Sequence, residues 1–213
     1  EAVRAIDAKA YFYGEGWNFG EVADNRLFTQ AKQQDMAGTE VGTFNDRIRE
    51  GVRSAAIFSG VNDDGNLAEQ DIIRISLAGT LKDYVLKNYR DITGPASSAN
   101  WNGQAAGYAE DPADIINYVS KHDNETLWDI LQSRLPQPLT VTERVRAQNM
   151  AIAIPLMSQG IPFLQMGGDF LRSKSMDRDS YDSGDWFNYV DFTMQTNNWA
   201  VGLPLAEKNR DSW

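Results

Sequence analysis

The chain has 213 residues and a formal net charge of −10, with 30 Asp and Glu against 20 Lys and Arg. This acidic balance argues against binding to a nucleic-acid backbone, which needs clustered basic side chains. The chain has no cysteine, so disulfides and thiolate metal sites are excluded, and it has no run of about 18 apolar residues, so we expect no transmembrane helix.

The N-terminal part of the chain predicts helices and strands joined by long polar segments. A short helix over residues 2–8 leads directly into a strand over residues 9–14, and a polar excursion follows over residues 18–39. Further along, the spacing predicts a strand running into a helix over 41–53, a surface loop over 59–66, a helix over 67–84 and a loop over 92–107.

The C-terminal part continues this alternation. The pattern predicts a strand over 115–120, a short helix over 125–135, a strong helix over 141–159 with Thr142 as its N-cap, and a short buried strand over 161–165. From Leu171 onward the chain is polar and shows little periodicity. Such alternation predicts an α/β fold with parallel strands, either a barrel or a doubly wound sheet, and the absence of GxGxxG counts against dinucleotide binding.

Two acidic residues come at predicted strand ends. Glu15 stands between two glycines in YFYGEGW, where we expect the strand to end and turn, with Trp17 just behind it. This stretch suits a catalytic acid beside a sugar-stacking ring, but taken alone it favours an exposed turn residue. Asp123 follows the strand over 115–120, and in an α/β barrel such groups meet at the C-terminal face. A sugar-cleaving enzyme needs one protonated and one ionised carboxyl group there.

His122 is the single histidine of the chain, so it cannot by itself build a metal site, and its polar flanks suit hydrogen bonding to a ligand hydroxyl. The segment RSKSMDRDSYDSGDWFN, residues 172–188, is rich in aspartate but misses the EF-hand spacing, so we favour a solvated turn over a calcium loop. A third reading is a sugar subsite, in which carboxylates and Arg178 bind hydroxyl pairs and Tyr181 or Trp186 offers a stacking face.

Three segments together, YFYGEGWNFGEV, NYVSKHDNETLWD and LRSKSMDRDSYDSGDWFN, closely resemble the pullulanase and limit-dextrinase branch of the α-amylase superfamily of glycoside hydrolases. GTFNDRIREGVR is similar to the segment that lies between them in that branch, and the landmarks run in the same order from residue 11 to residue 188. The resemblance implies a (β/α)₈ TIM barrel enzyme that hydrolyses α-1,6-glucosidic linkages in pullulan, amylopectin or limit dextrins with retention. It also implies that the chemistry needs no cofactor, while a structural calcium ion is compatible with it.

The resemblance also implies roles for particular residues. Glu15 matches the general acid/base of the family, Asp123 matches its transition-state-stabilising carboxylate, and His122 matches the histidine that bonds sugar hydroxyls. The remaining matches are an aromatic platform on the leaving-group side and two residues of the segment that shapes the non-reducing-side subsites, namely Trp17, Arg178 and Asp185. No metal ligand is expected. Asn18 departs from the pattern, because many relatives have aspartate there.

The chief departure is that the DxxxNH-like and GFRxD-like segments of the family, the second of which carries the nucleophile, have no counterpart in this sequence. We therefore expect residues 1–213 to form the C-terminal half of an α-amylase-type barrel, about strands five to eight, with the N-terminal half absent. Such a half is expected to be inactive alone and to pair with its missing half or with a copy of itself. The expected ligand is an α-glucan polysaccharide or oligosaccharide.

One alternative from another class is a non-catalytic α-glucan-binding protein derived from the same fold. It would keep the sugar-binding surface and lack the chemistry. The compartment is not indicated by the residues, since a cysteine-free chain is compatible with the bacterial cytoplasm and with export alike.

Overall fold

The structure, a computed structural model, describes residues 2–210. The helices are α1 (Ala2–Ile6), α2 (Gln33–Met36), α3 (Asp46–Arg53), α4 (Asp64–Leu77), α5 (Leu127–Arg134), α6 (Val141–Met157), α7 (Asp185–Asn188) and α8 (Ala206–Asn209). The strands are β1 (Phe12–Gly14), β2 (Val41–Asn45), β3 (Val85–Lys87), β4 (Thr93–Pro95), β5 (Asn100–Trp101), β6 (Gln104–Ala105), β7 (Ile115–Asn117) and β8 (Ile161–Pro162).

Four strands form a parallel sheet in the order β1-β2-β7-β8, which is also their order in the chain. The predicted α/β class with parallel strands is confirmed. The segment over 92–107 was expected to be a loop, but it contributes to two small antiparallel hairpins, β3-β4 and β5-β6. The long connection between β2 and β7 contains these four short strands after α4, and they pair with one another rather than with the parallel sheet.

The two faces of the parallel sheet bury different side chains. On one face the helices α3, α5 and α6 form the main core, which includes Ile48, Leu131 and Ala151. Burying side chains of the size of Ile48 or Leu131 stabilises the fold by about 1.5–3 kcal/mol each. On the other face Phe44 packs edge to face against Tyr118 and Phe163, with ring centroids 5.0 and 5.2 Å apart.

Two helices begin or end at residues other than those that the sequence predicts. Helix α6 begins after Thr140, whose side chain accepts a hydrogen bond from the Glu143 N–H while the Glu143 side chain reaches back to the Thr140 N–H. The predicted cap at Thr142 is therefore wrong by two residues. Helix α4 begins three residues earlier than expected, because Asp63 caps it, and it ends at Leu77 rather than at residue 84.

The outer strands of the sheet are exposed. Tyr13 in β1 has 55% of its surface accessible, and Ile161 in β8 has 39%. The strand predicted over 161–165 is thus shorter and less buried than expected, since no described strand pairs with its outer side. Within residues 2–210, no helix combines the length and apolar character needed to cross a bilayer.

Candidate active site

The turn that carries Glu15 is fixed by the glycine that follows it. Gly16 has a φ of +75°, and a Cβ added there would lie 2.7 Å from the Thr43 Cβ, so only glycine fits. The Gly16 carbonyl oxygen accepts a hydrogen bond from the Gln33 N–H at 3.0 Å. Gly14 has no such constraint, since a Cβ there would meet nothing within 4 Å. The expected strand-to-turn transition is therefore present, and Gly16 imposes it.

Glu15, His122 and Asp123 lie together at the carboxyl ends of β1 and β7. One ligating atom from each side chain lies within 4.8 Å of the others. The His122 Nε2 atom is 3.8 Å from Glu15 Oε1 and 3.6 Å from Asp123 Oδ1. The sheet thus brings together two carboxylates that are far apart in the sequence, as parallel strands do at their C-terminal edge.

Lys121 was not singled out from the sequence, yet it belongs to this group. Its side chain is only 4% exposed, and its Nζ donates a hydrogen bond to Glu15 Oε1 at 2.9 Å and another to Asp123 Oδ2. The close spacing of Glu15, His122 and Asp123 suits a cation between them, and the ammonium group of Lys121 is such a cation. No signal in the sequence indicates this direction, because Lys121 lies beyond the end of β7 in a segment that forms no strand.

The charge of Asp123 is stabilised by its surroundings. Burial by itself would raise the pKa of Asp123, but the hydrogen bond and charge of Lys121, with the charges of His122 and Arg49, outweigh burial and lower that pKa. Asp123 is therefore held as a carboxylate beside a half-exposed Glu15.

A cavity of about 290 Å³ opens next to this group. Trp17 lines it together with Asp123, Arg178 and Tyr181, and Asp46, Arg49, Asn124 and Asp179 complete its wall. The Tyr181 ring also lies edge-on to His122, with ring centroids 6.0 Å apart. The cavity offers aromatic faces next to carboxylates and guanidinium groups, which suits a sugar ring with its apolar faces and hydroxyl edges.

Of the two candidates in the C-terminal segment, Arg178 lines this cavity and Asp185 does not. Asp185 is the exposed first residue of α7 and does not line the cavity. The reading of residues 172–188 as a solvated turn is wrong for Asp177, which is fully buried and accepts hydrogen bonds from the Leu205 N–H at 2.9 Å and Asn209 Nδ2 at 2.8 Å. Within residues 2–210, the aspartates of this segment do not converge into a group of three ligating side chains.

Parallel strands that present two carboxylates, a histidine and an indole ring at one edge are typical of glycoside hydrolases. No protein-family profile matches the chain. Among curated proteins, the chain is 41% identical over 231 residues to pullulanase 1, chloroplastic, of Arabidopsis thaliana, covering 97% of this chain and 24% of that protein. It is 39% identical over 236 residues to the pullulanase of Klebsiella aerogenes, covering 100% of this chain and 21% of that protein.

Among solved structures, too, the chain is similar to pullulanases. The chain superposes on Klebsiella pneumoniae pullulanase complexed with maltotriose with a TM-score of 0.87 at 38% identity, covering 96% of this chain and 21% of that one. The apo pullulanase of the same organism matches with a TM-score of 0.87 at 38% identity, over 96% of this chain and 24% of that one. The chain belongs to the pullulanases of the α-amylase superfamily, as a segment that spans less than a quarter of the length of these relatives.

Proposed function

We propose that the full-length protein carrying this segment is a debranching glycoside hydrolase that cleaves α-1,6-glucosidic linkages in pullulan, amylopectin or limit dextrins with retention. The observation that carries the proposal is the grouping of Glu15, His122 and Asp123, with ligating atoms within 4.8 Å of one another, in a chain of the pullulanase family. The maltotriose complex of the Klebsiella pneumoniae pullulanase supports an α-glucan as the ligand.

In the proposed reaction Glu15 gives its proton to the glycosidic oxygen while the bond from that oxygen to the sugar C1 breaks. Asp123 stabilises the positive charge that develops at C1, and its lowered pKa supports this role. His122, whose side chain is 57% exposed, bonds sugar hydroxyls. The nucleophilic carboxylate comes from a segment outside this chain, and Glu15 then acts as the base that activates the attacking water.

The other candidates bind sugar rather than react with it. Trp17, at the wall of the 290 Å³ cavity, is the stacking platform on the leaving-group side, and Arg178 at the same wall bonds hydroxyls on the non-reducing side. Asp185 lies further out and serves a more distant sugar. The chemistry as proposed requires no cofactor.

We propose further that β1, β2, β7 and β8 are strands five to eight of a (β/α)₈ barrel. The support is their parallel, sequential order and the exposure of the two outer strands. The missing strands come from the N-terminal half of the same protein, or a second copy of the chain covers the open edges. Because the nucleophile lies outside it, the isolated segment does not turn over substrate.

The test is the hydrolysis of pullulan by the full-length protein and by its Glu15→Gln variant. General acid–base catalysis is worth about 10²- to 10⁴-fold, so E15Q is expected to lose that much in kcat while still binding maltotriose. The matched control is Glu21→Gln, an exposed glutamate in the same excursion, which should keep the wild-type rate. An E15Q variant as active as the wild type contradicts the proposal, and a wild type that binds maltotriose without cleaving pullulan favours the glucan-binding alternative.

A further inference from the structure

We propose that Lys121 is a positioning residue of this active site, whose single ammonium group joins Glu15 to Asp123 and compensates the charge of both. The inference rests on the proposed function and assigns a task to a residue beside the catalytic pair. It starts from the fact that Lys121 is almost completely buried, with 4% of its side chain exposed. Lysine is rarely buried unless it is paired, so its partners show what its burial serves.

The partners of the ammonium group are the two carboxylates. Lys121 Nζ lies 2.9 Å from Glu15 Oε1, also donates to Asp123 Oδ2, and lies 5.4 Å from the centroid of the Phe44 ring. An ammonium has three donors and no acceptor, so two donors serve the carboxylates while the ring closes off the apolar side. His122 on the same loop and Arg49 on α3 also act on Asp123. Three further charged side chains line the same cavity as Asp123, namely Asp46, Arg178 and Asp179.

The backbone of Lys121 is held independently of its side chain. Gln165 Nε2 donates to the Lys121 carbonyl oxygen at 2.7 Å, and Ser120 Oγ donates to Gln165 Oε1 at 2.5 Å. Gln165, three residues after the end of β8, therefore anchors the backbone of Lys121 at this edge of the sheet. This differs from the ion pair of Lys87 and Asp91, in which both side chains are exposed to solvent, at 61% and 81%.

The proposed task follows from the charges. Two carboxylates with oxygens within 4.8 Å of each other repel, and repulsion of this kind makes one of them take up a proton. Asp123 has to stay ionised throughout the reaction, whereas Glu15 has to gain and lose a proton. With Lys121 between them, Asp123 stays a carboxylate in both states of Glu15. When Glu15 gives its proton to the glycosidic oxygen, the O–H bond forms there and the negative charge left on Glu15 faces the Lys121 ammonium.

Removal of the cation should therefore change how activity depends on pH rather than how sugar binds. In a Lys121→Met variant, protonation of Asp123 becomes easier, so the acid limb of the kcat profile moves to higher pH. Because Lys121 is buried beneath the carboxylates, KM should change little. A residue needed only for folding would lower the amount of active protein and leave the position of the limb where it was.

The experiment is a kcat and KM profile from pH 4 to 8 for the full-length wild type and its K121M, K121Q and K121R variants, with pullulan as substrate. K121M and K121Q should move the acid limb up by about one pH unit, which is about a tenfold loss of kcat below the limb. K121R should keep the limb in place with a lower kcat, because arginine retains the charge in a different shape. Lys87→Met is the control and should superimpose on the wild type.

A limb that stays in place in both neutral variants overturns the inference, whether or not kcat falls. K121Q keeps a polar side chain at this position, as methionine does not, so it carries the test if K121M does not fold. A wild type that fails to cleave pullulan overturns the proposed function, and the role of Lys121 falls with it. A wild type that cleaves pullulan together with unshifted variants overturns only the role of Lys121.

Discussion

Lys174 Nζ donates a hydrogen bond to the backbone carbonyl oxygen of His122 at 3.0 Å, so a fully buried lysine lies directly beneath the loop that carries His122 and Asp123. The Lys174 N–H also donates to Asp129 Oδ2 at 2.7 Å, and Ser173 Oγ donates to Asp129 Oδ1 at 2.5 Å. A segment far along the chain therefore supports the loop of His122 and Asp123, through α5 and through the ammonium group of Lys174, which does not line the cavity.

The first prediction concerns the pH dependence of stability. Burial lowers the pKa of Lys174 from 10.5 to about 8, against the opposing charge of Asp177. Between pH 8 and pH 10.5 the unfolded chain binds more protons than the folded one, so the free energy of unfolding rises with pH in that window. Below pH 8 the lysine is charged in both states, and the folded protein bears the full free-energy cost of burying that charge. Relative to Lys174→Met, the wild type should gain about 3 kcal/mol from pH 7 to pH 10.5.

Urea unfolding of the full-length wild type and of K174M at intervals across this range measures that difference. Comparing the two proteins cancels the titration of the tyrosines, which both share. Lys9→Met, at an exposed lysine, is the matched control and should differ from the wild type by a constant amount. A constant difference for K174M as well would mean that folding does not lower the pKa of Lys174.

The second prediction concerns Trp17. Its ring packs against the cluster of Phe44 and Tyr118 and lines the cavity with Tyr181, so the part of the ring that faces the cavity is the proposed stacking surface. Loss of an aromatic contact is worth about 0.5–1.5 kcal/mol, so Trp17→Ala should weaken maltotriose binding about 2- to 12-fold, and Trp17→Phe should restore most of it. Isothermal titration with the full-length protein measures this.

The control for Trp17 is Trp199→Ala, because Trp199 is 43% exposed and does not line the cavity. Unchanged affinity in Trp17→Ala would remove the stacking role. A loss in Trp199→Ala of equal size would show that tryptophan truncation acts through general destabilisation.

The third prediction concerns Asp114, which lies just before β7, at the end of the sheet opposite the proposed active site. Its buried carboxylate accepts four backbone hydrogen bonds, at 2.8–3.1 Å, from the N–H groups of Gly38, Glu40, Glu110 and Asp111. Asp114→Ala leaves these donors without their acceptor and should cost about 3 kcal/mol or more. The apparent Tm of the full-length protein should fall, while kcat measured well below Tm should stay close to the wild type.

Asp83→Ala, at an exposed aspartate, should leave the Tm of the protein unchanged. If Asp114→Ala lowered kcat at a temperature where the protein is fully folded, the two ends of the sheet would be coupled more tightly than these contacts indicate.

The fourth prediction distinguishes two threonines two residues apart. Thr140→Ala removes the N-cap of α6 and the contacts with Glu143, so it should destabilise the protein by about 1 kcal/mol. Thr142→Ala lies on the exposed side of the same helix and should change stability by less than about 0.5 kcal/mol. Urea unfolding of both variants decides between them, and a larger loss in Thr142→Ala would contradict the observed cap.

These residues also show which features of the fold and of the candidate site can be predicted from the sequence. The turn at Gly16 and the convergence of Glu15 with Asp123 could be predicted, because glycine content and strand ends are local signals with a known meaning in parallel sheets. The inward direction of Lys121 could not be predicted, because it depends on contacts with Glu15 and Phe44, which lie far away in the chain. The exposure of β8 likewise depends on which strands lie beside it, and apolar residue content alone does not reveal that.

The close approach of Gly16 to Thr43 has a consequence for engineering the enzyme. A smaller residue at position 43 would relieve the contact with a new side chain at position 16, but it would not relieve the left-handed backbone angle, which is set by the turn itself. The turn that holds Glu15, the proposed proton donor, therefore keeps its need for glycine at position 16 even when the contact with residue 43 is removed. Near Arg178 and Tyr181, which also line the cavity, Gly184 has no atom within 4 Å of an added Cβ, so we expect substitutions that alter glucan preference to be better tolerated there.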